Sequence, residues 1–187
     1  MKTVKTMTLV ECALMIAMST ALGYIPIFEM PFGGSITLCS MVPLIVVSFR
    51  HGAKWGLFTG AVHGFLQMIL GMKNIFYCTT VIAMIGCALL DYILAFAVMG
   101  LACVFGKGFP NRSLSVAAGS VAVGLLKLLC SFLSGILIWG GYAPEGMPVW
   151  IYSLQYNASY MLPETVLTAI AAVAVMKVAD KRFPAVN

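Results

Sequence analysis

Charged residues are scarce in this chain. Only 9% of its 187 residues are Asp, Glu, Lys or Arg, whereas a soluble domain carries about 25%. Hydrophobic residues make up 61% of the sequence, and the mean hydropathy is +1.01. Such a chain has too few polar side chains to cover a water-facing surface. We therefore predict an integral membrane protein that forms one domain over residues 1–187.

The sequence also lacks the motifs of common catalytic sites. It has no GxxxxGK[ST] loop for nucleotide phosphates, no HExxH metal-binding helix and no GxSxG nucleophile turn. Its two histidines and six cysteines show no metal-ligand spacing. We expect no enzyme activity, no cofactor and no bound metal, with the cysteines acting as small buried side chains. A small intramembrane enzyme that uses Asp91 with Lys127 or His63 is a minor alternative.

Long apolar runs are what the sequence does have. A helix that crosses a membrane needs about 20 mostly apolar residues. Six runs approach that length, although the second is short. They predict an all-α polytopic membrane protein with six transmembrane helices, at about 8–27, 35–49, 53–70, 79–105, 113–139 and 151–178.

The basic residues indicate the orientation of these helices. If the N-terminus lies inside, Lys73 is the one basic residue on an outer loop, Lys127 lies within a helix, and every other Lys or Arg lies at an inner end. Cytoplasmic loops carry such an excess of Lys and Arg. We therefore expect a multi-pass membrane protein with both termini in the cytoplasm. The net charge of +5 then reflects topology and does not indicate a nucleic-acid partner.

Two charged residues fall inside apolar runs. Asp91 lies in the fourth run and Lys127 in the fifth. A charge inside the membrane is costly, so it is usually paired or faces a cavity. One interpretation is an ion pair that only locks the two helices together. The other is a carboxylate that faces a ligand, with Tyr92 beside it and Lys127 as its partner in the empty state.

The segment 127–164 combines a cation, an amide, aromatic rings and glycines at one end of two predicted helices. This variety is typical of a binding pocket. Trp139 alone could equally belong to an aromatic belt at the membrane surface, and Asn157 could form only an interhelical hydrogen bond. The candidate residues are Lys127, Ser131, Gly135 and Trp139 at steps of four, followed by Tyr152 and Asn157.

The first outer loop reads FEMPFGGSITL. Pro31 and Gly33-Gly34 should break the helix, and Ser35 should cap the second helix. The loop is either a simple turn or a lid over a ligand. The first helix carries alanines at steps of four, Ala13, Ala17 and Ala21. Small residues at this spacing allow another helix to approach closely, which indicates either an internal contact or a docking face for another protein.

Together these motifs resemble a known family. AxxxA in the first helix, GGSITL followed by MVP, LLDYxLAF, and above all WGGYAPEGMxxWxYSLxYNxSYMLPE are similar to the thiamine-specific S component of energy-coupling factor (ECF) vitamin transporters. The resemblance runs from about Leu9 to Val178. In some members a tryptophan stands at the position of Gly34 and a histidine at that of Ser131, so here the first loop is expected to contribute backbone.

The resemblance implies a six-helix S-component bundle that binds thiamine from outside and has no ATPase of its own. Import would require a transmembrane coupling subunit and two ABC-type ATPases, with Ala13 and Ala17 on the docking face. The alternative is a stand-alone secondary transporter of thiamine or a related pyrimidine. The implied substrate-binding positions are Gly34, Asp91, Tyr92, Lys127, Ser131, Gly135, Trp139, Tyr152 and Asn157.

Overall fold

The computed structural model describes residues 2–30 and 34–182. Six helices form its framework: α1 (Lys2–Gly23), α2 (Val42–His51), α3 (Ala53–Leu70), α4 (Val81–Phe105), α5 (Arg112–Leu137) and α6 (Val149–Arg182). Two short strands, β1 (Pro26–Glu29) and β2 (Ser35–Thr37), form an antiparallel hairpin between α1 and α2. By length and composition, α1, α4, α5 and α6 can cross a membrane. The protein is an all-α membrane protein, as the sequence predicts.

The hairpin changes the predicted start of the second helix. Ser35–Thr37 pairs with β1, so α2 begins at Val42 and not at residue 35. The predicted cap by Ser35 is therefore wrong, because strand pairing uses this backbone. The first helix likewise ends at Gly23 and not at residue 27. Pro31 and Gly33, the other predicted helix breakers, lie outside the described residues.

The short helix α2 is the centre of the core. Its 10 residues rise only about 15 Å, half of the roughly 30 Å hydrocarbon layer. Every residue from Val42 to Ser48 is buried, so α2 is surrounded by protein. The apolar cluster around it is formed by Leu44, Ile45, Met99, Val116, Val123, Ala172 and Met176.

Glycines bring α3 and α4 unusually close together. Gly56, Gly60 and Gly64 stand at steps of four along one face of α3. A Cβ atom on any of them would overlap backbone atoms of α4, which are those of Gly100, Phe96 and Tyr92 respectively. Helices with small residues at this spacing can pack backbone against backbone. We call this contact the glycine seam.

The helix α4 changes its pitch along its length. The turns at its two ends, Val81–Cys87 and Ala102–Phe105, are α-helical. Between them, Ala88–Leu94 forms a π-helix and Val98–Leu101 forms a 3-10 turn. π-Helical turns contain extra residues and frequently occur at functional sites. In this chain the wide turn carries Asp91 and Tyr92. The seam therefore anchors the helix segment that carries the intramembrane carboxylate.

Polar contacts between α1 and its neighbours explain several isolated polar residues. His63 is 1% exposed, and its ring nitrogens lie 3.3 Å from Ser19 Oγ and 3.4 Å from Thr20 Oγ1. It is an interhelical contact between α1 and α3. Nearer the N-terminus, Glu11 accepts hydrogen bonds from Arg50 at 2.6 Å and pairs with His51 at 2.9 Å.

The glycine seam yields a stability prediction. Gly60→Ala would place a methyl group against the Phe96 carbonyl, and such overpacking typically costs about 1–3 kcal/mol. We expect a lower midpoint temperature of unfolding for the detergent-solubilised protein. Gly141→Ala is the matched control, because a Cβ there meets no atom within 4 Å. Equal midpoints for both variants would show that the seam is not tightly packed.

Candidate functional site

One cavity collects all the substrate-binding positions named from the sequence. It has a volume of about 290 Å³ and lies between the hairpin and helices α3 to α6. The nine predicted positions come from four separate parts of the chain. The nine positions that line it are Gly34, Asp91, Tyr92, Lys127, Ser131, Gly135, Trp139, Tyr152 and Asn157.

The carboxylate of Asp91 is bound by uncharged donors. Its Oδ2 atom accepts a hydrogen bond from Ser134 Oγ at 2.6 Å and another from Trp139 Nε1 at 3.1 Å. Among the described residues, no carboxylate oxygen lies within 4 Å of Lys127. Neither proposed ion pair with Lys127 is formed, because the hydroxyl of Ser134 and the indole of Trp139 satisfy the carboxylate. The tryptophan indole is thus held against the acid.

Lys127 contacts an aromatic ring instead. Its ammonium lies 4.9 Å from the centre of the Phe96 ring, within the distance of a cation–π interaction. On another side, Phe96 meets His63 edge to face, with ring centres 4.8 Å apart. The cation is therefore placed in the cavity wall without a direct carboxylate partner in the described part of the chain.

Asn157 is engaged by the protein itself. Its Nδ2 donates to the carbonyls of Ser131 at 3.2 Å and Ser153 at 2.9 Å. Its Oδ1 accepts a hydrogen bond from Tyr160 at 3.0 Å. The interhelical alternative for Asn157 is therefore the one found in this structure. A ligand acceptor must replace one of the Nδ2 bonds, whereas a ligand donor can use the second lone pair of Oδ1.

Gly135 also has a structural task that the sequence did not indicate. A Cβ atom at this position would overlap Ser153 Oγ and lie 3.3 Å from Asn157 Nδ2. Ser153 in turn donates to the carbonyl of Phe132 at 2.8 Å. The glycine therefore lets α6 approach α5 closely.

Three tyrosines of α6 form a ladder along the cavity. The ring centres of Tyr152 and Tyr156 are 6.0 Å apart, and those of Tyr156 and Tyr160 are 5.9 Å apart. Gly34 lies directly against the last ring, because a Cβ there would be 2.6 Å from Tyr160 Cε1. The hairpin thus covers the ladder with backbone where a side chain would not fit.

Tyr92 and Trp139 line the same cavity near the loop after α3 and the α5–α6 connection. The Tyr92 hydroxyl donates to the carbonyl of Gly71 at 3.2 Å, which links α4 to the loop after α3. The ring of Trp139 lies 5.8 Å from that of Tyr142. Trp139 is therefore part of the cavity wall, with its indole nitrogen turned toward Asp91.

The sequence prediction missed a second acid in the site. Glu164 lines the cavity and is only 1% exposed. It accepts hydrogen bonds from the amide nitrogen and the hydroxyl of Thr37, each at 2.7 Å. It therefore ties the hairpin to α6. A carboxylate within a long apolar run was the available signal, by the rule that singled out Asp91.

The two alanines predicted to dock a partner, Ala13 and Ala17, lie away from the cavity. Both are exposed on α1, as is Ala21 one turn further along. Their large neighbours Leu14 and Met18 are also exposed, by 59% and 51%. Within residues 2–30 and 34–182 no helix covers this alanine face, so the predicted internal contact is not formed there.

Comparisons with known proteins agree with this architecture. Residues 9–184 match the family described as Thiamine transporter protein (Thia_YuaJ). The thiamine transporter ThiT of Bacillus subtilis (strain 168) is 37% identical over 173 residues, which cover 87% of this chain and 86% of that protein. ThiT of Lacticaseibacillus paracasei is 30% identical over 192 residues, which cover 95% and 90%.

A solved structure supports the same fold. ThiT from Listeria monocytogenes superposes with a TM-score of 0.75 at 24% identity, covering 95% of this chain and 97% of that one. These relatives are transporters, so the role of the chain is transport and not catalysis. The chain belongs to the thiamine transporter family of membrane proteins.

Proposed function

We propose that this chain is the thiamine-binding S component of an ECF-type importer. It captures the vitamin outside the cell and delivers it through a coupling subunit that two partner ATPases drive. The observation that carries the proposal is the convergence of the nine predicted positions on one cavity of about 290 Å³. This volume is close to the lower end of the range for small-molecule sites, about 300 Å³.

The chemistry of the cavity suits thiamine. The vitamin has a flat aminopyrimidine, which can stack on Trp139 and hydrogen-bond to the Asp91 carboxylate. It also has a cationic thiazolium ring, for which the faces of the tyrosine ladder are suitable partners. Two carboxylates and one ammonium line the cavity. Formally negative groups are thus in excess, which favours binding of a cation.

The position of the cavity favours capture from outside. Its lining comes from the hairpin, the loop after α3 and the α5–α6 connection. Basic residues such as Arg50, Arg112 and Lys181 lie at the other ends of the helices, away from these connections. Because basic ends face the cytoplasm, the hairpin side faces outward and both termini face inward.

The exposed alanine face supports dependence on a partner. Small side chains at four-residue spacing let another helix come close, and in the described part of the chain no helix covers Ala13 and Ala17. The sequence has no phosphate-binding loop for ATP, so an ATP-driven importer needs other subunits to hydrolyse the ATP. A stand-alone secondary transporter is the alternative function.

Thiamine binding is measurable with the purified chain. We expect thiamine to quench intrinsic tryptophan fluorescence, because the ligand stacks on Trp139. Trp139→Phe should remove most of this quenching. Trp150→Phe is the matched control, since Trp150 is 55% exposed and does not line the cavity. Quenching that survives Trp139→Phe and disappears with Trp150→Phe would contradict the proposed site.

The docking face is tested by adding bulk. Ala13→Trp and Ala17→Trp should leave thiamine affinity unchanged, because neither residue lines the cavity. Both should prevent co-purification with the coupling subunit, because an indole blocks close helix approach. Ile170→Trp, at a position 66% exposed on α6, should assemble normally. Normal assembly of both alanine variants would refute the docking role.

Dependence on partner subunits distinguishes the proposed importer subunit from a stand-alone secondary transporter. Cells that produce this chain without the coupling subunit and ATPases should not accumulate labelled thiamine above the level of cells without the chain. Adding the partners should restore accumulation, because they supply the driving force. Accumulation by the chain alone that a protonophore abolishes would instead establish the secondary transporter.

A further inference from the structure

Ser134, Asp91 and Trp139 form a closed ring of hydrogen bonds beside the cavity. The hydroxyl of Ser134 donates to Asp91 Oδ2 at 2.6 Å, and the same oxygen accepts from Trp139 Nε1 at 3.1 Å. The carbonyl of Ser134 accepts from the backbone nitrogen of Trp139 at 3.3 Å. The serine thus holds the tryptophan twice, once by its main chain and once through the carboxylate. Ser134 itself is fully buried and does not line the cavity.

From this ring we infer that Ser134 is a positioning residue of the binding site. It fixes the rotation of the Asp91 carboxylate and, through it, the plane of the Trp139 indole. The effect on affinity rests on the proposed function, since it assumes that thiamine occupies this cavity.

The hydroxyl of Ser134 is used differently from those of Ser48 and Ser120, two other buried serines. Ser48 donates to the carbonyl of Gly100, and Ser120 donates to the carbonyl of Val116 in its own helix. Those bonds satisfy a buried hydroxyl by a main-chain acceptor. Ser134 instead donates to a side chain that can rotate and that lines the cavity. Its bond therefore determines a side-chain orientation.

The two donors hold one oxygen of the Asp91 carboxylate. Ser134 Oγ and Trp139 Nε1 both donate to Oδ2, the first from α5 and the second from just beyond its end. Hydrogen bonds to a charged acceptor are shorter and stronger than neutral ones, and the serine bond is the shorter of the two. Without it the carboxylate can turn about its χ2 torsion, and the indole loses its fixed acceptor.

Three variants separate hydrogen bonding from packing. Ser134→Ala removes the hydroxyl but keeps the main-chain hydrogen bond from Trp139 to the carbonyl of residue 134. Ser134→Cys keeps a side chain of similar size but replaces the hydroxyl with a weak donor. Ser120→Ala is the matched control, a buried serine in the same helix whose hydroxyl bonds to its own helix.

The first measurement is made without ligand. The protein has three tryptophans, so ¹⁵N-tryptophan labelling gives three indole resonances, and Trp139→Phe identifies the one from Trp139. We expect that resonance to shift in Ser134→Ala and Ser134→Cys and to stay in place in Ser120→Ala. A variant that only loses stability would not move this signal selectively.

The second measurement is thiamine affinity. Loss of a hydrogen bond to a charged group should weaken binding roughly 10- to 100-fold in both Ser134 variants, with no change in Ser120→Ala. A wild-type resonance and affinity in Ser134→Ala would overturn the inference, as would wild-type behaviour of Ser134→Cys, which would indicate packing alone. Absence of thiamine binding by the wild-type chain would instead refute the proposed function, while the indole shift would still decide whether Ser134 holds the Asp91–Trp139 pair.

Discussion

The buried carboxylate of Asp91 is the constraint on which the site depends. A charged group inside a membrane bundle must find donors or be neutralised. Here Ser134 of α5 and Trp139, two residues beyond the end of α5, both donate to one oxygen. The requirement brings α4 and α5 together at one depth and fixes an aromatic ring beside the acid. The lysine expected to pair with Asp91 is then available to contact Phe96.

Close backbone packing makes that arrangement possible. The glycine seam presses α4 against α3, with Gly64 directly against the backbone of Tyr92. On the other side, Gly135 admits Ser153 of α6. Side chains larger than glycine at these points would separate the helices. The wall of the cavity is therefore positioned by residues with no side chain to contact a ligand.

The hairpin completes the site where α2 is too short. The ten-residue helix spans only about half of the hydrocarbon layer, and β1 and β2 precede it in the chain. Glu164 holds this hairpin through two hydrogen bonds to Thr37. Backbone at Gly34 then reaches the Tyr160 ring. Glu164 therefore positions the hairpin, whereas Asp91 is bound by Trp139, which lines the cavity, and by Ser134, which does not.

Membrane character, the approximate positions of the long helices and nine of the residues that line the cavity could be predicted from the sequence alone. Each follows from a local property: apolar length, charge inside an apolar run, or a motif of contiguous residues. The partner of each polar group depends on packing, because Asp91–Ser134 and Glu164–Thr37 join residues 43 and 127 positions apart. Packing also makes Ser35–Thr37 a strand, since pairing with β1 overrides a helix signal, and it leaves the alanine face of α1 uncovered by the other described helices.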